Sequence, residues 1–337
     1  MRPRLVSGRL FFGVWLISMS FLIFSLRLEG LANEMEGLVN ASDNSDLVTY
    51  VTNMGITEYI LPYHWREFIF WLGQRYLYQL IGNPAAVFII FDFVLVLALY
   101  KSLDLLHKII SPRIDLRDFR YLYFAAFLFF PVVVGMHGVY RQILAVVLFL
   151  VALGYSKEKL GKGSFGFVVA FFVHNSVALL LPVFLLVANN YRYKKLAIFL
   201  SFFVFLAMYL VFGTSNPLIQ RSEGIDVGQR LPYIYLCVLL WIASMISIFE
   251  YPSRSRSHLT LLNIIMVSVI IYSSGIVNLA SQNSERIFQL IMALLFPLLG
   301  LYVGDRLKPK PMTRLVYLHL TLSPLLFMYS ELIPFPF

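Results

Sequence analysis

Three residues in an otherwise apolar chain have the types and surroundings to do chemistry: Arg141, His174 and Arg286. Arg141 follows the turn His137-Gly138-Val139-Tyr140 and opens an apolar run, where the amides of a helix start also favour an anion. Arg286 is placed the same way, with Glu285 beside it and Gln289 one turn later. Two guanidinium forks suit a phosphate or diphosphate better than ammonium groups do, because they grip it bidentately. The competing account of each arginine is a side chain that snorkels to lipid headgroups or pairs with a nearby carboxylate. His174 sits in Phe171-Phe172-Val173-His174-Asn175-Ser176, a polar triplet in apolar surroundings. An imidazole there serves as general base, as hydrogen-bond donor to an anionic leaving group, or only as a helix breaker bonded to backbone carbonyls. His137, Tyr140 and Gln142 beside Arg141, and Asn175 beside His174, are the expected substrate contacts.

Further polar candidates lie in stretches that read as loops. Asp46 and Tyr50 are four residues apart, and Glu58 and Glu67 follow. One of these carboxylates can activate an acceptor hydroxyl, although a solvated acidic loop has the same composition. Arg221, Glu223, Asp226 and Arg230 form a charged loop that either closes over a substrate or is simply solvated. Asp92, inside an apolar run, is a further candidate because intramembrane charge is expensive. No HExxH or D-x-D pattern accompanies the histidines, so neither a metal nor any other cofactor is expected. The single cysteine, Cys237, permits no intramolecular disulfide and no cysteine cluster.

The elements that must position these residues follow from composition. The 337 residues are 59% hydrophobic and only 13% charged, which a soluble domain of that size cannot carry without a large exposed apolar surface. Lipid is the solvent. The net charge of +9 then reads as membrane topology, and nucleic-acid binding, which needs a basic face on a soluble surface, is not expected. Leu10 to Leu26, preceded by Arg2, Arg4 and Arg9, is long enough to span and lacks an A-x-A site, so a signal anchor is expected over a cleaved leader.

Apolar runs of about 20 residues predict spans near 10–28, 84–100, 119–137, 140–155, 196–213, 231–249, 259–279, 286–303 and 314–332. With the N-terminus cytoplasmic, residues 28–83 form an outer loop, whose stretch Trp65 to Leu80 is patterned as an amphipathic helix lying on the membrane. Ser164 to Ala188 is ambiguous. As one span it would put Arg192, Lys194 and Lys195 outside, together with the basic loops at Arg254 to Arg256 and Arg306 to Arg314. Broken near His174 and Asn175 into two short helices that enter and return, it keeps all three loops inside. Of the 27 Lys and Arg, only Arg27, Arg66, Arg75, Arg141, Arg221, Arg230 and Arg286 then lie outside or near that face. The expected fold is all-α: a single polytopic transmembrane domain over residues 1–337, with about nine full spans plus a broken two-helix hairpin.

These residues resemble a family. His137-Gly138-Val139-Tyr140-Arg141-Gln142-Ile143-Leu144-Ala145, a short basic loop, then Phe171 to Ser176 and Leu179 to Pro182 resemble the EpsG-type, Wzy-like polysaccharide polymerases. That family shows an R-Q-x-x-A span start followed by F-H-x-S-A-x-x-x-x-P; here one extra residue precedes Ala178. Ser284-Glu285-Arg286-Ile287-Phe288 resembles its arginine-led final motif, and Asp46-Leu47-Val48-Thr49-Tyr50 its outer-loop D-x-x-x-Y. The glycine and arginine that usually precede that aspartate are missing from Leu38 to Ser45.

The resemblance implies glycosyl transfer from an undecaprenyl diphosphate carrier to an incoming lipid-linked repeat unit, at the outer face of the bacterial cytoplasmic membrane. It also implies chain-length regulator and flippase proteins as partners, beside the lipid-linked oligosaccharide and membrane lipid. Arg141 and Arg286 would hold diphosphate and His174 would act at the reacting centre. Two other classes use similar residues. A lipid-linked oligosaccharide flippase would carry inverted repeats and a midplane site, which the sequence does not display. A non-catalytic subunit of an export complex would tolerate replacement of its outer polar residues.

Overall fold

In the computed structural model the described residues are 67–110, 116–128 and 140–188, with isolated positions at 50, 54, 65, 199–200, 203, 293–294 and 297–298. The spans expected at 10–28, 231–249, 259–279 and 314–332 lie outside them, as do all but isolated positions of 196–213 and 286–303. Among the described residues every regular element is a helix and no strand occurs. The chain divides into two compact units, Met1–Ala98 with Phe335–Phe337, and Leu99–Pro334.

In the first unit, helix α1 spans Phe68–Ile81, within one to three residues of the amphipathic stretch expected from the sequence. Phe70, Trp71 and Gln74 face inward, while Tyr76 and Leu80 are left exposed. Its start is fixed by Glu67, whose carbonyl accepts from the N–H groups of both Phe70 and Trp71 at 3.1 Å. Its end is fixed by Gly82, at φ +71°, whose N–H returns to the Tyr78 carbonyl at 2.7 Å. A left-handed C-terminal residue of this kind favours glycine, which has no Cβ to clash. Asn83 then caps the next helix through Oδ1, which accepts from Ala86 N–H at 3.3 Å, and Pro84 occupies the first turn where its missing N–H costs nothing.

That next helix, α2, spans Pro84–Ile110. Tyr50 packs edge-on against Phe70 and Trp71, with centroids 5.4 and 5.7 Å away, and lies 6.3 Å from Phe88. Phe70 in turn meets Phe91 at 5.4 Å. On the opposite side of α2, Ile90, Phe93, Val94 and Leu97 are exposed. Their spacing of i, i+3, i+4 and i+7 makes one continuous apolar stripe, which is unfavourable in water and at home in lipid.

The helix runs ten residues past the expected end of the span at 100. The charges that end the apolar run do not end the helix: Asp104 pairs with Lys101 at 3.5 Å and with Lys108 at 3.3 Å. Such i,i+3 and i,i+4 pairs support helical backbone.

In the second unit, α3 spans Leu116–Leu128, and its Phe119 and Tyr123 meet Tyr100 edge-on at 6.2 and 5.6 Å. Helix α4, Tyr140–Glu158, and helix α5, Leu160–Val173, are joined by Lys159 alone, in extended conformation. The basic loop expected between them is therefore a single residue. Lys101 of α2 and Lys162 of α5 bring their ammonium groups over the Tyr155 ring, at 5.9 and 5.8 Å, within cation–π range.

Glycine lets α4 and α5 approach closely. A Cβ on Gly163 would lie 2.5 Å from the Cα of Ser156, and one on Gly166 would lie 3.0 Å from the Cβ of Ala152. The Ser156 hydroxyl in that seam is satisfied internally, donating to the Leu153 carbonyl at 2.7 Å.

After α5 the helix breaks at His174. A 3-10 helix, Asn175–Leu180, and helix α6, Leu181–Ala188, follow. The chain reverses there: the rings of Phe167 and Phe184 are 5.0 Å apart, whereas 17 residues of unbroken helix would separate them by about 25 Å. The broken, returning segment inferred from loop charge is thus present, with its break at the expected residues.

Two helices, Pro84–Lys108 and Tyr140–Glu158, are long and apolar enough to cross a bilayer. With the composition and the exposed apolar stripe of α2, they make this a membrane protein.

A candidate functional site at the helix break

The break exposes backbone groups that a bilayer cannot hydrate, so they must find partners inside the protein. His174 supplies several of them. With φ −154° and ψ 124° it is extended, which any residue tolerates. Its N–H donates to the Ala170 carbonyl at 3.1 Å, closing α5, and its carbonyl accepts from Val177 N–H at 3.2 Å, opening the 3-10 helix. Its side chain acts as well: Nδ1 accepts from Ser176 N–H at 3.1 Å and lies 2.7 Å from Ser176 Oγ. The sequence allowed a helix breaker whose ring bonds backbone carbonyls; the ring at this break instead accepts from a backbone N–H. The residue as a whole is only partly buried.

Arg141 lies in the first turn of α4. It is partly exposed between Tyr140, which is fully buried, and Gln142, which is 4% exposed. The pairings of Gly163 with Ser156 and of Gly166 with Ala152 fix an antiparallel register between α4 and α5. Extended along both helices, it brings Val173 level with Ala145, about one helical turn from Arg141. The 3-10 helix and α6 also pack on α4. The arginine-bearing end of α4 and the histidine break therefore belong to one end of the α4–α5 pair. Asn175, next to the break, is exposed.

The other expected site residues are placed differently. Tyr50 is buried within the aromatic cluster of the first unit, and Glu67, 6% exposed, stands at the start of α1. Asp92 is buried in α2, 3% exposed. His137, Asp46, Arg230, Glu285 and Arg286 lie outside the described residues, as do Glu58, Arg221, Glu223 and Asp226. Among the described residues there is no group of three His, Cys, Asp or Glu that could hold a metal ion.

Two residues were given no role from the sequence. Ser176 is the partner of the His174 ring, and the signal for it was its position two residues after a helix-breaking side chain, where local capping bonds form. Gln74 is 1% exposed in α1, with neither Oε1 nor Nε2 hydrogen-bonded, at a cost of about 1–3 kcal/mol for an unsatisfied buried group. Its amide falls at an inward position of an otherwise apolar helical face, which the helical period alone could have revealed.

One end of the α4–α5 pair thus gathers a guanidinium and an imidazole that caps the break. The family model of the EpsG family matches residues 39–335 of the chain. The chain belongs to the EpsG family, a Wzy-like polysaccharide polymerase type, and its activity is at that level glycosyltransferase-like, in polysaccharide biosynthesis. No curated protein and no solved structure matches it.

Proposed function

We propose that this protein polymerises undecaprenyl-diphosphate-linked oligosaccharide repeat units at the outer face of the bacterial cytoplasmic membrane. The bond between the anomeric carbon of the growing glycan and the diphosphate oxygen breaks, and undecaprenyl diphosphate leaves with the electron pair. A hydroxyl at the non-reducing end of the incoming lipid-linked unit forms the new bond and gives up its proton. Arg141 and Arg286 neutralise the departing diphosphate, His174 assists at the reacting centre, and Tyr140, Gln142, His137 and Asn175 contact substrate. Arg230 and Glu285 are further contacts, and the proton of the acceptor hydroxyl passes to water.

In this proposal about nine spans and the broken hairpin surround the site, the N-terminus is cytoplasmic, and residues 28–83 form the outer loop with α1 lying along the interface. Chain-length regulator and flippase proteins are the expected partners. The observation that carries the reading is the register of α4 against α5, which gives His174 and Arg141 a common end. A guanidinium there is worth most where water is excluded and the charge develops on the leaving group.

The test is reconstitution of the pure protein with a purified lipid-linked repeat unit. Long glycan chains on the lipid are the expected product. Transbilayer movement of the unit without chain growth would instead make the protein a flippase.

A further inference from the structure

We propose that Gln74 binds hydroxyl groups of the glycan: its carboxamide is held dry and unbonded on the inward face of α1 in the empty protein, and a sugar supplies the missing partners. That the partner is a sugar rests on the polymerase reading. That the amide needs a partner rests on the structure.

A primary carboxamide carries two N–H donors and an oxygen with two lone pairs. Gln74 takes all of them into the interior: it is 1% exposed, and neither Oε1 nor Nε2 is hydrogen-bonded. It shares the buried face of α1 with Phe70 and Trp71, whose rings pack edge-on against Tyr50. Phe91 closes the same cluster, 5.4 Å from Phe70 and 3.6 Å from where a Cβ on Gly73 would lie. Methionine or leucine at position 74 would complete that face with no polar group to desolvate. Among the described residues, no bond of the fold uses the amide. A group that weakens the empty protein is explained by what it bonds in the loaded one.

The chemistry gathered there answers a sugar. A sugar ring presents neighbouring hydroxyls, each both donor and acceptor, beside apolar C–H faces, and a carboxamide set among aromatic rings can meet both. A site built to bond a substrate hydroxyl has unpaired polar groups until that hydroxyl arrives. Access follows from the ends and the outer side of α1. The helix stops at Gly82, in left-handed conformation, with nothing within 4 Å of a Cβ there, and Tyr76, Leu80 and Ile81 are exposed. Glycine at that joint lets α1 turn away from the aromatic cluster and admit the ring.

Gln74→Met keeps the unbranched shape and removes the amide. In thermal unfolding of the full chain in detergent, without glycan, this variant should melt at a higher temperature than the wild type, because an apolar group of similar shape replaces an unsatisfied polar one. In reconstituted chain growth on the undecaprenyl-diphosphate-linked repeat unit, its KM should rise roughly five- to ten-fold, about the worth of one net hydrogen bond. Its kcat should stay near that of the wild type, since a contact made equally in ground and transition states acts on KM alone. A variant that fails to fold, or melts no higher than the wild type, shows that the amide has partners in the empty protein and overturns the proposal. An unchanged KM overturns it as well.

Binding is also read without turnover. The repeat unit should raise the unfolding midpoint of the wild type by more than that of Gln74→Met, whereas undecaprenyl diphosphate without sugar should raise both alike. If the sugar-free carrier reproduces the difference, the amide binds diphosphate and the proposal fails. A wild type that the repeat unit stabilises more than the variant, yet that builds no polymer, supports the role of Gln74 and counts against the polymerase reading alone.

Discussion

Arg141 and His174 stand out in the sequence because a charged or ionisable group in an apolar run has to be explained by something it binds. The structure adds what each is tied to. Arg141 is held in the first turn of α4 between two buried neighbours, so its side chain leaves the helix from a fixed point. Replacing it with lysine keeps the charge but loses the fork. Chain growth on the lipid-linked unit should fall by roughly ten- to a hundred-fold, as the loss of a charge-assisted bond of about 1.5–3 kcal/mol implies. Full activity in that variant would remove the bidentate grip from the mechanism. Ser176 was legible as part of the matched motif, but its contact with the His174 ring was not. A hydroxyl is common in any polar triplet, and only the extended backbone of His174 turns the ring back toward it. Gln74 did carry a signal, since the helical period puts it on the same face as Phe70 and Trp71.

At the scale of elements, the ends of apolar runs in the sequence are not the ends of helices. Loop charge located the break in Ser164 to Ala188, because three basic clusters depended on it. The same charges misplaced the end of α2, since lysines and an aspartate at i,i+3 and i,i+4 spacing sustain a helix beyond the apolar run. They also suggested a loop where Lys159 alone makes the turn. What composition cannot convey is how close two helices come. Gly163 meets backbone atoms of Ser156 at distances no Cβ can share, so Gly163→Val must push α5 off α4. Overpacking of this kind costs about 1–3 kcal/mol. Thermal unfolding in detergent should show a lower midpoint for Gly163→Val than for the wild type, with Gly161→Val as a control, because nothing lies within 4 Å of a Cβ there. Equal midpoints for the two variants would mean that the α4–α5 seam is not tight in the membrane.

For the whole molecule, the proposal stands on sidedness. If the segment from α5 to α6 enters and returns, single cysteines placed at Lys159 and at Asn190 in a Cys237→Ser background should react with an impermeant thiol reagent from the same, cytoplasmic side. A cysteine at Asn175, exposed beside the break, should react from the other. Labelling of positions 159 and 190 from opposite sides would turn the segment into a full span. Arg192, Lys194 and Lys195 would then be outside, and the later basic loops with them. An expectation of sidedness was legible from the distribution of 27 basic residues, because the bilayer would impose it globally. The geometry of the site was not, because it depends on contacts between helices that composition leaves undetermined.

The one-residue joint at Lys159 makes α5 a ruler. With no slack in the connection, the height and compass bearing of His174 relative to Arg141 depend only on how many residues lie between the joint and the break. One inserted residue would carry the ring about 1.5 Å along the axis and turn it by about 100°. The stretch from Leu160 to Val173 can therefore vary freely in apolar side-chain identity on its lipid side, but not in length. Insertions and deletions, usually harmless in a membrane helix of uncertain tilt, become here as consequential as replacing the histidine itself.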